Sequence, residues 1–172
     1  MPTVIIRPDA ISSDSGFDQT GSNLLSRINY NDTGTAINQN QTSANFNVGM
    51  GNSSDYSGAT INNVVVSITG NTINVKVPEA SVEVSLRDAS SLLQRSTLTF
   101  TPTESTEDTA AYSTSLTPSI VDAFVVAVSP SALGIFIKEV FITVDYTAAA
   151  SGGGTITLSS GKITLTSGKI TL

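Results

Sequence analysis

Residues 135–146 read Ile-Phe-Ile-Lys-Glu-Val-Phe-Ile-Thr-Val-Asp-Tyr, and this stretch decides the fold. From Val140 onward, every second residue is apolar: Val140, Ile142 and Val144 point one way, and the residues between them point the other way. An alternation with period two is the pattern of a β-strand that buries one face. The stretch therefore predicts a long strand at the centre of a sheet.

A second apolar stretch lies just before it. Residues 123–128, Ala-Phe-Val-Val-Ala-Val, are apolar on both faces, as expected of a central strand. Ser129-Pro130-Ser131 and Gly134 separate the two stretches, and such residues favour turns. We therefore predict that the two stretches pair as antiparallel neighbours in one sheet.

Working outward, short alternating segments recur along the chain and are separated by turn residues. Residues 9–22 and 103–108 are predicted loops, and Gly70-Asn71 is a predicted turn. Residues 24–29 fit one helical turn or a short strand equally well. The pattern predicts an all-β antiparallel sandwich or barrel. The predicted core positions are Val64, Val66, Val82, Val84, Leu86, Val126, Val140, Ile142 and Val144.

Composition excludes several classes of function. The chain has 172 residues and a net charge of −6, and its few basic residues are scattered, which argues against nucleic-acid binding. It has no cysteine and no histidine, so disulfides, thiolate nucleophiles, Cys/His zinc sites and Ser-His-Asp triads are excluded. No apolar run approaches the roughly 20 residues of a membrane helix. Met1-Pro2-Thr3 leads directly into a strand, so we expect no signal peptide.

The C-terminal tail is a seven-residue repeat. Residues 148–153 form a predicted flexible linker, and residues 154–172 contain three units that begin at Gly154, Gly161 and Gly168. Because seven is odd, one straight strand would turn successive Ile/Leu pairs to opposite faces, so the chain must turn or bulge at each Ser-Gly step. We expect the tail to be an assembly element that forms a trimer, with an interface of Ile156, Leu158, Ile163, Leu165, Ile170 and Leu172. The alternative is that the tail docks onto a different virion protein by strand addition.

Acidic and aromatic residues are the candidates for a chemical site. Glu104, Glu107 and Asp108 could be a carboxylate pair or calcium ligands, but their Thr/Ser-rich setting favours a solvated acidic loop. Asp32 and Asp55 are more simply turn formers than metal ligands. No metal, cofactor or catalytic residue is therefore expected.

Aromatic rings suit sugar binding, because their faces stack on carbohydrate rings. The candidates for such a platform are Phe17, Tyr30, Tyr56 and Tyr112, although tyrosines at strand ends more often bridge core and solvent. Three triplets that begin at Asn31, Asn40 and Asn52 match the N-glycosylation pattern, which we interpret as surface polarity.

The order of segments also has a family likeness. A polar loop precedes Leu-Leu-Ser-Arg-Ile-Asn at 24–29, followed by Ala-Asn-Phe-Asn-Val at 44–48 and Gly-Ala-Thr-Ile-Asn-Asn-Val-Val-Val at 58–66. Residues 137–147 close the pattern. Over about residues 9–147 this order resembles jelly-roll virion proteins of tailed bacteriophages. The chain departs from the commoner version in having Phe17 where a tryptophan is usual, and in a weaker glycine-rich centre.

The resemblance implies a jelly-roll sandwich over residues 1–147 on the virion surface, without a cofactor and commonly trimeric. Its first functional implication is a capsid decoration, cement or head-fibre protein that contacts other virion proteins. The alternative is a tail-fibre or adhesin module that binds a host surface glycan, through a groove in the loops at 31–41 or 49–58. An enzyme is the least favoured class, since the chain lacks histidine and no carboxylate pair falls on a predicted strand.

Overall fold

The computed structural model describes residues 1–15, 28, 37–38, 45–72, 79–89, 91–131, 134–149, 157–159 and 162–164. These residues form two antiparallel sheets of five strands each and a separate two-stranded hairpin. The elements are β1 (Thr3–Ile6), β2 (Pro8–Ser15), β3 (Ile37–Asn38), β4 (Asn45–Met50), a 3-10 turn (Ser54–Tyr56), β5 (Thr60–Thr72), β6 (Ala80–Asp88), β7 (Ser91–Phe100), β8 (Ser105–Asp108), α1 (Pro118–Val121), β9 (Phe124–Pro130), β10 (Ile135–Thr147), β11 (Thr157–Ser159) and β12 (Lys162–Thr164).

The two sheets face each other across one hydrophobic core. The first sheet has the order β1-β10-β5-β8, with β3 also paired to β10, and the second has the order β2-β4-β9-β6-β7. The alternating segments predict an all-β antiparallel sandwich or barrel, and the family resemblance implies a jelly-roll sandwich; the all-β jelly-roll sandwich is confirmed. Within the described part of the chain, no helix is long and apolar enough to cross a membrane.

All nine predicted core positions are buried, with at most 1% of each side chain exposed. They lie on β5, β6, β9 and β10, whose inward-facing residues alternate with more accessible ones. Ile28 is the described residue of the ambiguous stretch 24–29; it is helical and fully buried in the same core. Burial of each large aliphatic side chain contributes roughly 1.5–3 kcal/mol, so this layer accounts for much of the folding free energy.

A bulge in β10 changes the residues that face the core from odd-numbered to even-numbered positions. Ile135 and Ile137 are buried before the bulge, and Val140 begins the second buried series after it, because the register with β5 shifts between Ile137 and Glu139. Glu139 is 6% exposed, and its Oε1 accepts hydrogen bonds from the Arg7 guanidinium at 2.8 and 3.1 Å. At the bulge two consecutive residues, Glu139 and Val140, are thus buried, and the paired arginine satisfies the carboxylate.

The predicted pairing of the last two sandwich strands is wrong. β9 pairs with β4 and β6 in the second sheet, whereas β10 pairs with β1, β3 and β5 in the first sheet. Both strands are central, as their apolar composition indicates, but the chain between Pro130 and Ile135 crosses from one sheet to the other. The two strands therefore lie in different sheets, and neither is the other's hydrogen-bonded neighbour.

Two predicted loops contain strands. Part of the predicted loop 9–22 is β2, and part of the predicted acidic loop is β8. Among the described strands, each of them pairs on one side only, β2 with β4 and β8 with β5. An outer strand of this kind exposes much of its length, so its sequence lacks the apolar alternation of a central strand.

The predicted turn at Gly70-Asn71 is also wrong. Gly70 lies within β5, opposite Ile137 on one side and Ser105 on the other. A Cβ at this position would lie 2.5 Å from the carbonyl oxygen of Phe136. The glycine is therefore required by the close approach of two backbones beside the bulge in β10 and not by a chain reversal.

The first two repeats of the tail form a hairpin. β11 and β12 pair antiparallel, with Leu158 opposite Ile163, so the chain reverses between Ser159 and Lys162 as the odd repeat length predicts. The side chains proposed for the trimer interface, and the backbone of Ile156, Leu165, Ile170 and Leu172, lie outside the described residues. The trimer stays a prediction.

Candidate functional site

A polar cleft of about 350 Å³ opens at one end of the sandwich. One wall is the loop between β4 and β5, and the other is α1 with the residue that follows it. The lining residues are Asn52, Ser53, Ser54, Tyr56, Ser57, Pro118 and Asp122. The volume lies at the lower end of the range for small-molecule sites, roughly 300–1,000 Å³.

The first wall is shaped by a capped 3-10 turn. The Ser53 hydroxyl accepts a hydrogen bond from the backbone N–H of Asp55 at 3.1 Å, and the backbone N–H of Ser53 donates to the Tyr56 hydroxyl at 3.3 Å. This reciprocal arrangement satisfies donors that a turn start otherwise leaves without partners. The serine-rich sequence Asn-Ser-Ser-Asp-Tyr at 52–56 thus forms a fixed wall within the described loop.

The second wall is set by the short helix. Thr117 caps α1 by accepting a hydrogen bond from the backbone N–H of Ile120 at 3.3 Å, and Pro118 occupies the first turn. Both are favoured residue types at these positions. Val121 is fully buried, which anchors the helix on the core and leaves the next residue, Asp122, exposed at the cleft.

Tyr56 joins the two walls. Its side chain is fully buried beneath the cleft, and its hydroxyl donates to Oδ1 of Asp122 at 2.5 Å. Its ring meets the ring of Tyr146 edge-on, with centroids 6.4 Å apart. Burial, followed by the hydrogen bond to Asp122, raises the pKa of Tyr56 well above the ordinary tyrosine value. The hydroxyl is therefore a protonated donor that holds the Asp122 carboxylate in place.

The chemistry of the lining is that of hydrogen bonding to hydroxyl groups. Its described residues offer serine hydroxyls, the Asn52 amide and the Asp122 carboxylate, and none of them is a lysine or arginine. A carboxylate accepts hydrogen bonds from neutral hydroxyls and repels anions. The cleft therefore suits a neutral ligand that carries several hydroxyl groups.

The predicted carboxylate candidates do not lie together in this cleft. Glu104 forms an ion pair with Lys138, and Asp108 accepts a 2.6 Å hydrogen bond from the Ser67 hydroxyl. Glu107 lies on β8, opposite Ile68. Asp55 lies in the 3-10 turn, as predicted for a turn former, while Asp32 falls outside the described residues.

The stacking candidates that the structure describes form no platform, in line with the favoured interpretation that such tyrosines bridge core and solvent. Tyr56 has no exposed ring surface, because the 3-10 turn directs the ring inward against Tyr146. Tyr112 is partly buried, and its backbone bridges to Val64 with two 2.8 Å hydrogen bonds. Phe17 and Tyr30 lie outside the described residues.

The predicted groove loop at 49–58 does line the cleft, but the sequence prediction missed the opposite wall. Asn52, the first residue of one acceptor triplet, is part of the lining, whereas the other candidate loop, 31–41, lies almost wholly outside the described residues. The sequence does contain a local signal for the opposite wall: Thr117-Pro118, a threonine cap followed by proline, marks a helix start.

Comparison with solved structures finds similar folds among carbohydrate-binding modules. The C-terminal CBM6 of LamC, a marine laminarinase from Zobellia galactanivorans, aligns with a TM-score of 0.51 and 9% identity, over 83% of this chain and 98% of that chain. A carbohydrate-binding module from Cellvibrio mixtus lichenase 5A, in complex with cellotriose, aligns with a TM-score of 0.45 and 10% identity, over 84% of this chain and 97% of that chain.

A GH26-CBM35 β-(1,4)-mannanase of Podospora anserina aligns with a TM-score of 0.40 and 10% identity, over 88% of this chain and 29% of that chain. No protein-family model matches the sequence, and no curated protein sequence matches it significantly. At 9% identity, the likeness to the LamC module concerns the fold alone.

Proposed function

We propose that the sandwich is a glycan-binding module that holds a neutral sugar in the cleft between the 52–57 loop and Asp122. The observation that carries this proposal is the 2.5 Å hydrogen bond from Tyr56 to Asp122, which fixes a carboxylate among hydroxyl and amide groups. A pre-oriented acceptor of this kind binds a sugar hydroxyl without first having to be ordered.

The size and charge of the cleft narrow the ligand class. A volume of about 350 Å³ accommodates a ligand of about one or two sugar rings, such as the end of an oligosaccharide. Since the described lining residues include a carboxylate and no basic residue, uronic acids, sialic acids and sulfated sugars are disfavoured. The fold is consistent with this role, because the similar LamC domain is named a carbohydrate-binding module.

The binding would be modest in strength and would not lead to a reaction. Hydrogen bonds to exposed groups contribute about 0.5–1.5 kcal/mol each, and the described part of the cleft offers no exposed aromatic ring for stacking. Such sites gain useful avidity when several copies act together. A tail-fibre or adhesin setting, in which copies are clustered, fits this requirement. The capsid-decoration function stays a prediction of the family resemblance.

The proposal is tested by a screen of the labelled full-length protein on immobilised glycans. One set consists of neutral oligosaccharides with gluco-, galacto- and manno-configured ends, and a matched set carries uronic or sialic acid at the same ends. We expect saturable binding to members of the neutral set and weaker binding to their acidic counterparts. Absence of binding to every neutral glycan, or preference for the acidic set, would contradict the proposal.

A further inference from the structure

The described strands give the sandwich four outer edges, and three of these edges are poorly suited to accept another strand. β1 and β3 have four and two residues, and β8 has four residues. β2 begins with Pro8, carries two aspartates and pairs with β4 through two register shifts. Short length, proline, charge and bulges are the usual devices that protect an edge from further pairing.

β7 is the exception among the described edges. It has ten residues, contains no proline or glycine, and carries Arg95 as its one charged residue. From Phe100 back to Gln94 it pairs with β6 in one unbroken register, and in the described chain it pairs with no other strand. A long, regular and nearly uncharged edge of this kind is a template for β-strand addition.

The residues on the two faces of β7 indicate which residue types an added strand should carry. Leu98 and Phe100 are buried, whereas Thr97 and Thr99 are exposed. A complementary strand would place aliphatic residues beside the first pair and small polar residues beside the second pair, because side chains on adjacent strands pair on the same face.

The tail of this protein has that alternation. Residues 162–166 read Lys-Ile-Thr-Leu-Thr, and β12 (Lys162–Thr164) falls within them. If β12 lay beside β7 as the next strand of the sheet, Ile163 and Leu165 would lie on the same face as Leu98. Thr164 would then lie on the same face as Thr97 and Thr99. The tail also carries two lysines and no acidic residue, whereas the chain as a whole has a net charge of −6, so attraction favours its contact with a sandwich.

The source of the added strand is a second copy of the chain. In the described part of a single chain, β12 pairs with β11 and not with any strand of the sandwich, and its other side is free to pair. We propose that the β7 edge of one copy accepts β12 of a neighbouring copy as a sixth strand of its sheet. The contact is head-to-tail, so it closes into a ring such as a trimer or extends into a filament.

Engineered cysteine pairs test this contact, since the chain has no cysteine of its own. Full-length T164C is mixed with full-length T97C, and separately with T99C to cover a shift of register by two residues. Each mixture is oxidised with oxidised glutathione, and the disulfide-linked species are separated by mass. A disulfide needs Cα atoms about 4.4–6.8 Å apart, the spacing of neighbouring strands. We expect one mixture to give several-fold more heterodisulfide than a T164C and T106C mixture.

Thr106 is a matched control because it is an exposed threonine on β8, one of the short edges. If neither β7 variant exceeds this control, the proposal is wrong. A product dominated by T164C homodimers would instead indicate tail–tail assembly. The double variant T97C/T164C is examined alone at high dilution; a disulfide within a monomer would show that β7 binds its own tail and would overturn the role of a second copy.

Discussion

The sandwich core and the polar cleft are neighbouring regions that are held together by different interactions. The core strand β10 places alternate aliphatic residues in complete burial, whereas the cleft holds exposed polar groups in position by a few hydrogen bonds. Tyr56 belongs to both regions, because its ring is part of the core and its hydroxyl holds Asp122. The difference teaches that the residues of the core and those of the proposed binding site are largely separate and meet at one tyrosine.

The largest effect is expected where the core alone is altered. Ile142→Asp places an unpaired carboxylate at a fully buried position and should cost more than about 4 kcal/mol of the free energy of unfolding. The control is Thr143→Asp, one residue further along β10 on the accessible face, which should cost about 1 kcal/mol or less. Urea denaturation followed by circular dichroism measures both; equal losses would show that the strand faces are misassigned.

A smaller effect is expected at the bulge. Gly70→Ala places a methyl group against the Phe136 carbonyl oxygen and should cost about 1–3 kcal/mol, because the two strands must separate. At Gly49 an added Cβ would lie 3.5 Å from the Ala10 Cβ, an ordinary contact, so Gly49→Ala should change stability by less than about 0.5 kcal/mol. A Gly70→Ala variant with the melting temperature of the wild type would contradict the close approach of the backbones.

These two sites also show what the sequence can predict. The position of Ile142 follows from period two alone, which holds from Val140 onward. The bulge before Val140 is not predicted, because it is defined by the shift in pairing with β5 between Ile137 and Glu139. The sequence predicts a turn at Gly70, and this prediction is wrong because a glycine gives the same local signal whether it reverses the chain or admits a close neighbour. A chain reversal and a close approach can be distinguished only by knowing which strand lies beside the glycine. That depends on residues far away in the sequence.

The lack of long-range information in local sequence patterns also explains the wrong prediction of strand pairing and the missed wall of the cleft. The apolar pattern of β9 and β10 shows that each is central but does not say in which sheet, because both sheets bury the same residue types. Tyr56 and Asp122 are 66 residues apart in sequence, so no local motif could reveal their hydrogen bond. The loop at 49–58 was identified from its turn residues, which are a local signal.

Removing the hydrogen bond between Tyr56 and Asp122, which links the core to the cleft, should have a moderate effect on stability. Tyr56→Phe keeps the buried ring but removes the hydroxyl that bonds Asp122, so we expect a loss of about 1 kcal/mol in the free energy of unfolding and weaker glycan binding. Tyr112→Phe is the control, because Tyr112 is held by backbone hydrogen bonds that the change leaves intact. If Tyr56→Phe binds glycan as tightly as the wild type, the hydroxyl has no role in positioning Asp122.

The same tyrosine predicts a pH dependence of stability. The raised pKa of folded Tyr56 means that the unfolded chain releases this proton first, near the ordinary tyrosine value of about 10. Its stabilising contribution is therefore complete below about pH 10 and is lost as the pH rises towards the folded-state value. The measurement is the free energy of unfolding of wild type minus that of Tyr56→Phe across this range. A difference that stays constant above pH 10 would contradict the assignment.

The most direct test of the account is a calorimetric titration of the best neutral glycan into wild type, Asp122→Asn and Asp55→Asn. Asp122→Asn retains an oxygen that can accept from Tyr56 but removes the charge, and we expect its Kd to rise roughly tenfold. Asp55 lies in the same turn and does not line the cleft, so Asp55→Asn should bind as the wild type does. Unchanged binding by Asp122→Asn, or an equal loss in both variants, would contradict the cleft as the glycan site.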